Sequence, residues 1–277
     1  GIADSGTWGH VNFSKACKSL DKKAILGVEI SVVGDATERT KQQSNTMCFL
    51  AKNNIGLQEI YGLVTKSTSK DNFYYFPRLS YSDLFDISEN TIIFSGTNPE
   101  WGMLPLARKN DLYIELNPMS SRKALEFAKS KGFKTVATSD NHYPYVTDKK
   151  AYEVLVGRNR TDRTKPMHIL NEWSWREAVP WGPDEALENT YKIAEMCNAE
   201  LPTAEMISFH SDKTLLQLCK EGVKTRNIDL KNKVYAERLT REIDMIASKK
   251  FEDYFYVIAD MISYAKQHML VGRPNRA

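Results

Sequence analysis

Two short apolar runs bracketing a capped helical stretch constrain the fold of this chain more than any other feature. Leu112-Tyr113-Ile114-Glu115-Leu116 and Lys134-Thr135-Val136-Ala137-Thr138 read as strands. Between them, Ser120 to Ala128 has helical character, with a serine available to cap its start and Gly132 to end it. Strand, capped helix, strand is a βαβ unit, and its natural setting is a parallel sheet or barrel. Ala24 to Ile30 and Thr91 to Ser95 are further strand candidates, and their near-continuous apolar character suits strands covered on both faces. Gly1-Ile2-Ala3-Asp4 reads as the tail of a buried strand whose beginning is missing.

From about Pro183 the strand signal disappears. Asp184 can cap a helix with Leu187, Tyr191, Ala194 and Cys197 on its apolar face, and Ser211 can cap another carrying Leu215, Leu218 and Gly222. Tyr235, Leu239, Ile243 and Ile246 recur at helical spacing, as do Phe255, Ile258, Ile262 and Ala265. The tryptophan-rich patch Trp173 to Trp181, punctuated by Pro180 and Pro183, reads as a packed loop. These patterns predict an α/β domain over residues 1–200 and a helical segment over 201–277, with the boundary near Leu201-Pro202.

With 38 basic and 35 acidic residues, bulk charge neither demands nor excludes a nucleic-acid partner. No apolar run approaches the roughly 20 residues needed to span a bilayer, and no secretory leader opens the chain, so no membrane role is expected. Cys17, Cys48, Cys197 and Cys219 are scattered without a CxxC pair, as expected of buried free thiols in a reducing cytoplasm. Both ends read as cut, which suggests a fragment or the product of a split gene.

The sharpest chemical signal is Thr138-Ser139-Asp140-Asn141-His142-Tyr143, at the C-terminal end of a predicted strand, where parallel α/β folds gather functional groups. Asp140 and His142, at i and i+2 of an extended segment, would point the same way and form half of a divalent metal site. A turn aspartate beside a surface histidine has the same spacing. Glu29 follows the apolar Gly27-Val28; a carboxylate there is costly unless it is paired, ligating or at a water-facing rim. If these strand tips converge, Glu29, Asp140 and His142 surround a common hollow. His10 is expected to face solvent or a helix start, and His168, His210 and His268 fall in polar loops or helix ends. Basic clusters at Lys129-Ser130-Lys131, at Lys149-Lys150 and at Arg158, Arg160 and Arg163 could position a phosphate backbone, or simply be solvated faces.

Several stretches, in order, resemble the DNA polymerase III α family. Asp4-Ser5-Gly6 followed by Gly9-His10-Val11-Asn12-Phe13-Ser14-Lys15-Ala16-Cys17-Lys18 is similar to its TDHGNLFGAVEFYKACK stretch. Gly27-Val28-Glu29-Ile30, Leu50 to Leu57 and Tyr75-Phe76-Pro77-Arg78 resemble its GCEVY, LLAKNEEGY and YKPRI segments. Ala137 to Tyr143 is similar to VATNDVHY, Glu185 to Thr190 to EALENT, and Tyr254 to Asp260 to YFLIVADF.

The resemblance implies a distorted (β/α)7 PHP barrel followed by an α-helical segment leading into the polymerase palm. It implies a multinuclear metal site at one mouth of the barrel, which in some members hydrolyses phosphoesters or proofreads 3′ ends. Carried over position by position, Glu29, Asp140 and His142 fall on ligand positions with a ligand residue type. Ser5, Thr46, Thr97 and Tyr152 stand where the family has ligands, and its earliest ligands would precede residue 1. A bound metal needs about four to six donors, and phosphoester attack usually needs two metals or more. The expectation is therefore an incomplete site, with no catalytic residues, holding at most one divalent ion (zinc, manganese or magnesium) weakly. Polymerase chemistry needs an aspartate cluster that the family places beyond a glycine-serine-rich GRGSAAGS stretch; Gly272-Arg273 reaches only its edge, so none is expected here. The implied partners are the remainder of a replicative polymerase, a proofreading subunit, and DNA through the complete protein. Two other readings stay open: an active metal-dependent phosphoesterase or 3′–5′ exonuclease, and a non-catalytic interaction module for a polymerase.

Overall fold

The computed structural model describes residues 1–104, 111–157 and 165–272. Contacts divide the chain into two compact units, Gly1–Pro202 and Thr203–Ala277. The first begins with β1 (Ile2–Asp4), α1 (His10–Ser19), β2 (Leu26–Val33) and β3 (Asn45–Ala51). Then come α2 (Asn54–Thr68), β4 (Arg78–Ser80), β5 (Thr91–Phe94), β6 (Leu112–Leu116), α3 (Arg122–Lys131) and β7 (Lys134–Ala137). It closes with α4 (Lys149–Val156), α5 (Glu172–Ala178) and α6 (Asp184–Met196).

The seven strands form one sheet in the order β1-β2-β3-β5-β6-β7, with β4 also paired to β2. The predicted βαβ unit is β6-α3-β7, its strands parallel with Tyr113 opposite Lys134. Gly132 ends α3 in the left-handed conformation at φ 71°, where a Cβ would be strained. The sheet is mixed: β3 runs antiparallel to both β2 and β5. The return from β2 to β3 passes through a loop fixed by Arg78, which is 2% exposed. Its guanidinium donates to the carbonyls of Ala36 (2.7 Å), Glu38 (3.0 Å), Asn72 (3.2 Å) and Thr40 (3.4 Å).

Period-2 alternation gives the sheet two apolar faces. Val28, Ile30, Met47 and Phe49 pack with Leu57 and Ile60 of α2 in the larger core. Leu50, Phe94, Tyr113 and Val136 point the other way and meet Ile193 and Cys197. Each large side chain so buried contributes about 1.5–3 kcal/mol. Residues of β1 and of the β7 end line one cavity, so the sheet curls into the expected barrel-like form. Among the described residues no ladder joins β7 back to β1. At that edge α6 provides the partners: Asn189 donates to the Thr135 carbonyl (2.8 Å) and Thr190 to that of Ala137 (2.8 Å).

The second unit holds α7 (Leu215–Thr225), α8 (Lys233–Ser248) and α9 (Glu252–His268). Among its described residues none is fully buried, Leu215, Leu218 and Gly222 included.

Several local expectations are corrected. The first part of the tryptophan-rich patch is helical rather than a loop: Asn171 accepts from the Ser174 amide and starts α5, which ends at Ala178, and the stretch from Val179 to Trp181, with Pro180, is the non-helical turn beyond it. Thr214, not Ser211, caps α7, in a reciprocal pair with Gln217. Pro183 occupies the cap position of α6, and Asp184 lies in the first turn, paired with Arg176. Tyr191 of that helix is 63% exposed rather than buried. Ser121 precedes α3 without a side-chain capping bond. All four cysteines are free thiols, of which only Cys197 is fully buried. No helix among the described residues is long and apolar enough to cross a membrane.

Candidate functional site

The curled sheet encloses a cavity of about 720 Å³, open at one side. Alternation brings Glu29 of β2, Cys48 of β3 and Glu115 of β6 onto its wall, and Trp175 and Tyr191 close it from α5 and α6. Glu29 lies within β2, opposite Cys48 of β3, rather than at a strand end. Water reaches its carboxyl from the cavity, but strand and wall crowd the other sides. Loss of hydration therefore comes first among the causes that raise its pKa from 4.5 to about 7, followed by repulsion from Glu115, Asp140 and Asp4.

Glu115 is held more tightly. Thr138 Oγ1 donates to its Oε1 at 2.5 Å and Asn117 Nδ2 donates to the same oxygen at 3.0 Å. Asn117 is itself fixed, accepting from the Met119 amide at 2.8 Å while its own amide donates to Ser120 Oγ at 3.1 Å. Burial raises the Glu115 carboxyl above its usual range despite these two donors, and Asp140 adds to the rise.

Asp140 and His142 sit beyond β7, which stops at Ala137, so they lie on a loop rather than on the extended strand expected. They still meet: Asp140 Oδ1 is 3.0 Å from His142 Nε2, with both side chains about 40% exposed. The His142 amide donates to the Met167 carbonyl at 2.8 Å. The rings of Tyr152 and His142 lie 5.1 Å apart. Asp140 thus pairs directly with His142 and couples through space to Glu29.

The positions carrying neutral residues do not supply the missing donors. Ser5 is exposed beside Asp4, Thr46 is exposed on β3 opposite Ser31, Thr97 follows β5, and Tyr152 lies on α4. Among the described residues no group of three or more His, Cys, Asp and Glu side chains converges as metal ligands must. Among the described residues the ligand-type side chains at the mouth are thus not gathered into one multinuclear ligand set.

Two acidic members of the mouth, Glu115 and Asp4, escaped the sequence reading of the site. Glu115 carries the same signal as Glu29, a carboxylate inside an apolar run. His10 takes the second of its two expected placements: it begins α1, and it is 1% exposed, with Nε2 2.9 Å from the Gly27 carbonyl and its ring beside Tyr61. His168 stacks on Tyr143, His268 stacks on Tyr264 at the end of α9, and His210 is almost fully exposed. Lys129 and Lys131 lie in the last turn of α3 and Lys149-Lys150 begin α4; Arg158, Arg160 and Arg163 lie outside the described residues.

Two family models match. The PHP domain covers residues 1–113, and the bacterial DNA polymerase III alpha NTPase domain covers residues 213–276. The chain is 27% identical to the DNA polymerase III subunit alpha of Helicobacter pylori, over 99% of this chain and 28% of that one. It is 26% identical to the subunit of the same name from Bacillus subtilis, over 99% and 27%. For that of Aquifex aeolicus the identity is 26%, over 100% and 29%. It thus spans little more than a quarter of the length of these relatives.

Proposed function

We propose that this chain, which matches the PHP domain and the bacterial DNA polymerase III alpha NTPase domain and is similar to DNA polymerase III alpha subunits over its length, serves DNA replication as part of a replicative polymerase, with its barrel a structural platform and not a metallohydrolase. The observation that carries this reading is the mouth of the barrel. There Ser5, Thr46, Thr97 and Tyr152 stand where the family resemblance puts ligands, and Glu29, Glu115 and Asp140 repel one another, with no ligand shell assembled around them among the described residues. A neutral hydroxyl stabilises a divalent cation far less than a carboxylate or an imidazole does. Glu29, Asp140 and His142 then hold at most one zinc, manganese or magnesium ion, weakly. The partners on this reading are the rest of the polymerase, a proofreading subunit and, through the complete protein, DNA, all in the cytoplasm. The fully exposed or half-exposed helices of the second unit suit a covering partner of this kind.

Metal analysis of the purified protein, with cleavage assays on a 3′-labelled primer and a phosphomonoester in manganese or zinc, tests the proposal. The expected result is less than one tightly held ion per chain and no turnover. Metal-dependent cleavage abolished by Asp140→Asn would make the barrel an active phosphoesterase instead.

A further inference from the structure

α4 rests lightly on the barrel. None of its residues is fully buried. Lys149, Tyr152, Glu153 and Val156 fall on one side of the helix and are partly covered, whereas Val154 and Leu155 face outward at 79% and 84% exposure. Its 8 residues are too few to persist as an isolated helix, so α4 stays formed only while it is held.

It is gripped through a row of rings. The Tyr152 ring lies 5.1 Å from that of His142 and 5.4 Å from that of Tyr143, which is 7% exposed. Tyr143 stacks in turn on His168 at 6.4 Å, and the backbones of these two residues form a short parallel bridge. The same pairing brings the His142 amide to the Met167 carbonyl at 2.8 Å. The loop beyond β7 is thus anchored by backbone bonds, whereas α4 reaches it through the Tyr152 ring. Asp140 holds the same imidazole, with Oδ1 3.0 Å from Nε2. Tyr152 stands where the family resemblance puts a ligand, and here it meets His142 ring to ring.

We propose that α4 is a strap clasped by Tyr152 against the Asp140–His142 pair, and that it opens by local unfolding while the sheet stays intact. Ring packing then does, at this edge of the mouth, the fastening that a bound metal would do. The strap rests on the ring geometry alone, and only its independence of metal rests on the platform reading above. Hydrogen–deuterium exchange of the full chain, read by mass spectrometry on peptides, tests it. In the unaltered chain, peptides of α4 are expected to exchange ahead of those of β6 and β7. Tyr152→Ala is expected to speed exchange in α4 about tenfold, because two ring pairs are lost, and to leave β6 and β7 unchanged. Tyr152→Phe keeps both ring pairs and should exchange at the parental rate. Trp173→Ala removes an exposed ring on α5; it is the control and should change nothing in α4. An unaltered α4 rate in Tyr152→Ala, an equal speeding of the whole domain, or a Tyr152→Phe chain that behaves like Tyr152→Ala would overturn the proposal. So would EDTA, if it sped α4 of the unaltered chain as much as Tyr152→Ala does, since a bound metal would then be the fastener. That last result would contradict the platform reading as well, whereas the first three leave it standing.

Discussion

Replacing Glu29 by Gln should make this protein more stable, and only above a particular pH. The folded chain holds the Glu29 proton up to about pH 7, whereas the unfolded chain releases it near 4.5. Between those values the folded state binds more protons, so stability falls as pH rises through the window and stays lower above it. At 1.36 kcal/mol per pH unit, the ceiling is about 3 kcal/mol. The side chain faces an open cavity, however, and solvent screening leaves about 1 kcal/mol. Glutamine keeps the shape and removes the charge. Urea denaturation followed by circular dichroism should therefore show Glu29→Gln about 1 kcal/mol more stable than the parent near pH 8 and equal to it near pH 5. In thermal melts the same difference appears as about 2–4 °C. Glu115→Gln made in the same background should reduce the gain, since Glu115 is the leading charge raising Glu29. A difference independent of pH, or a parent chain that is the more stable near pH 8, would show that the carboxylates of the mouth do not repel as described.

Arg78→Lys keeps the charge but loses the planar fork across four carbonyls; with the buried Ala36 and Asn72 carbonyls orphaned, a loss of about 2–4 kcal/mol is expected in urea. A lysine variant within about 0.5 kcal/mol of the parent would mean the loop needs no clasp. Trp175→Phe removes the indole donor shared by the Leu116 (3.2 Å) and Thr138 (3.1 Å) carbonyls, and about 1–2 kcal/mol should go with it in the same assay. Gly96→Ala places a Cβ 2.1 Å from the Thr46 carbonyl at a φ of +72°, so the variant should be destabilised by more than about 2 kcal/mol or fail to accumulate as folded protein, as a yield and melting comparison would show.

What the sequence announces and what it hides divide along physical lines. β6 and β7 were legible because a strand covered on both faces must be apolar throughout, and Gly132 because only a residue without a side chain ends a helix so cheaply. β3 escaped: Asn45, Thr46 and Cys48 break its apolar run, and what fixes it is two antiparallel neighbours that no local pattern encodes. β4 is three residues defined wholly by β2. The prolines near Trp173 suggested a break, whereas the signal that mattered was Asn171 three residues before Ser174. At the mouth, Glu29 and Asp140 were recognisable as chemical types, but their coupling to Glu115 and Asp4 depends on the curl of the sheet.

The polar stitching of β7 to α6 has a consequence for the life of the protein in a crowded solution. An outermost strand normally offers a row of bare carbonyls to any passing chain, the commonest starting point for aggregation. Here Asn189 and Thr190 occupy the carbonyls of Thr135 and Ala137, so that template is already taken. Carrying leucine and valine at these two helix positions, the domain would preserve its shape and apolar volume while exposing that row. The defect would show first as turbidity on storage, before any loss of helix or strand signal.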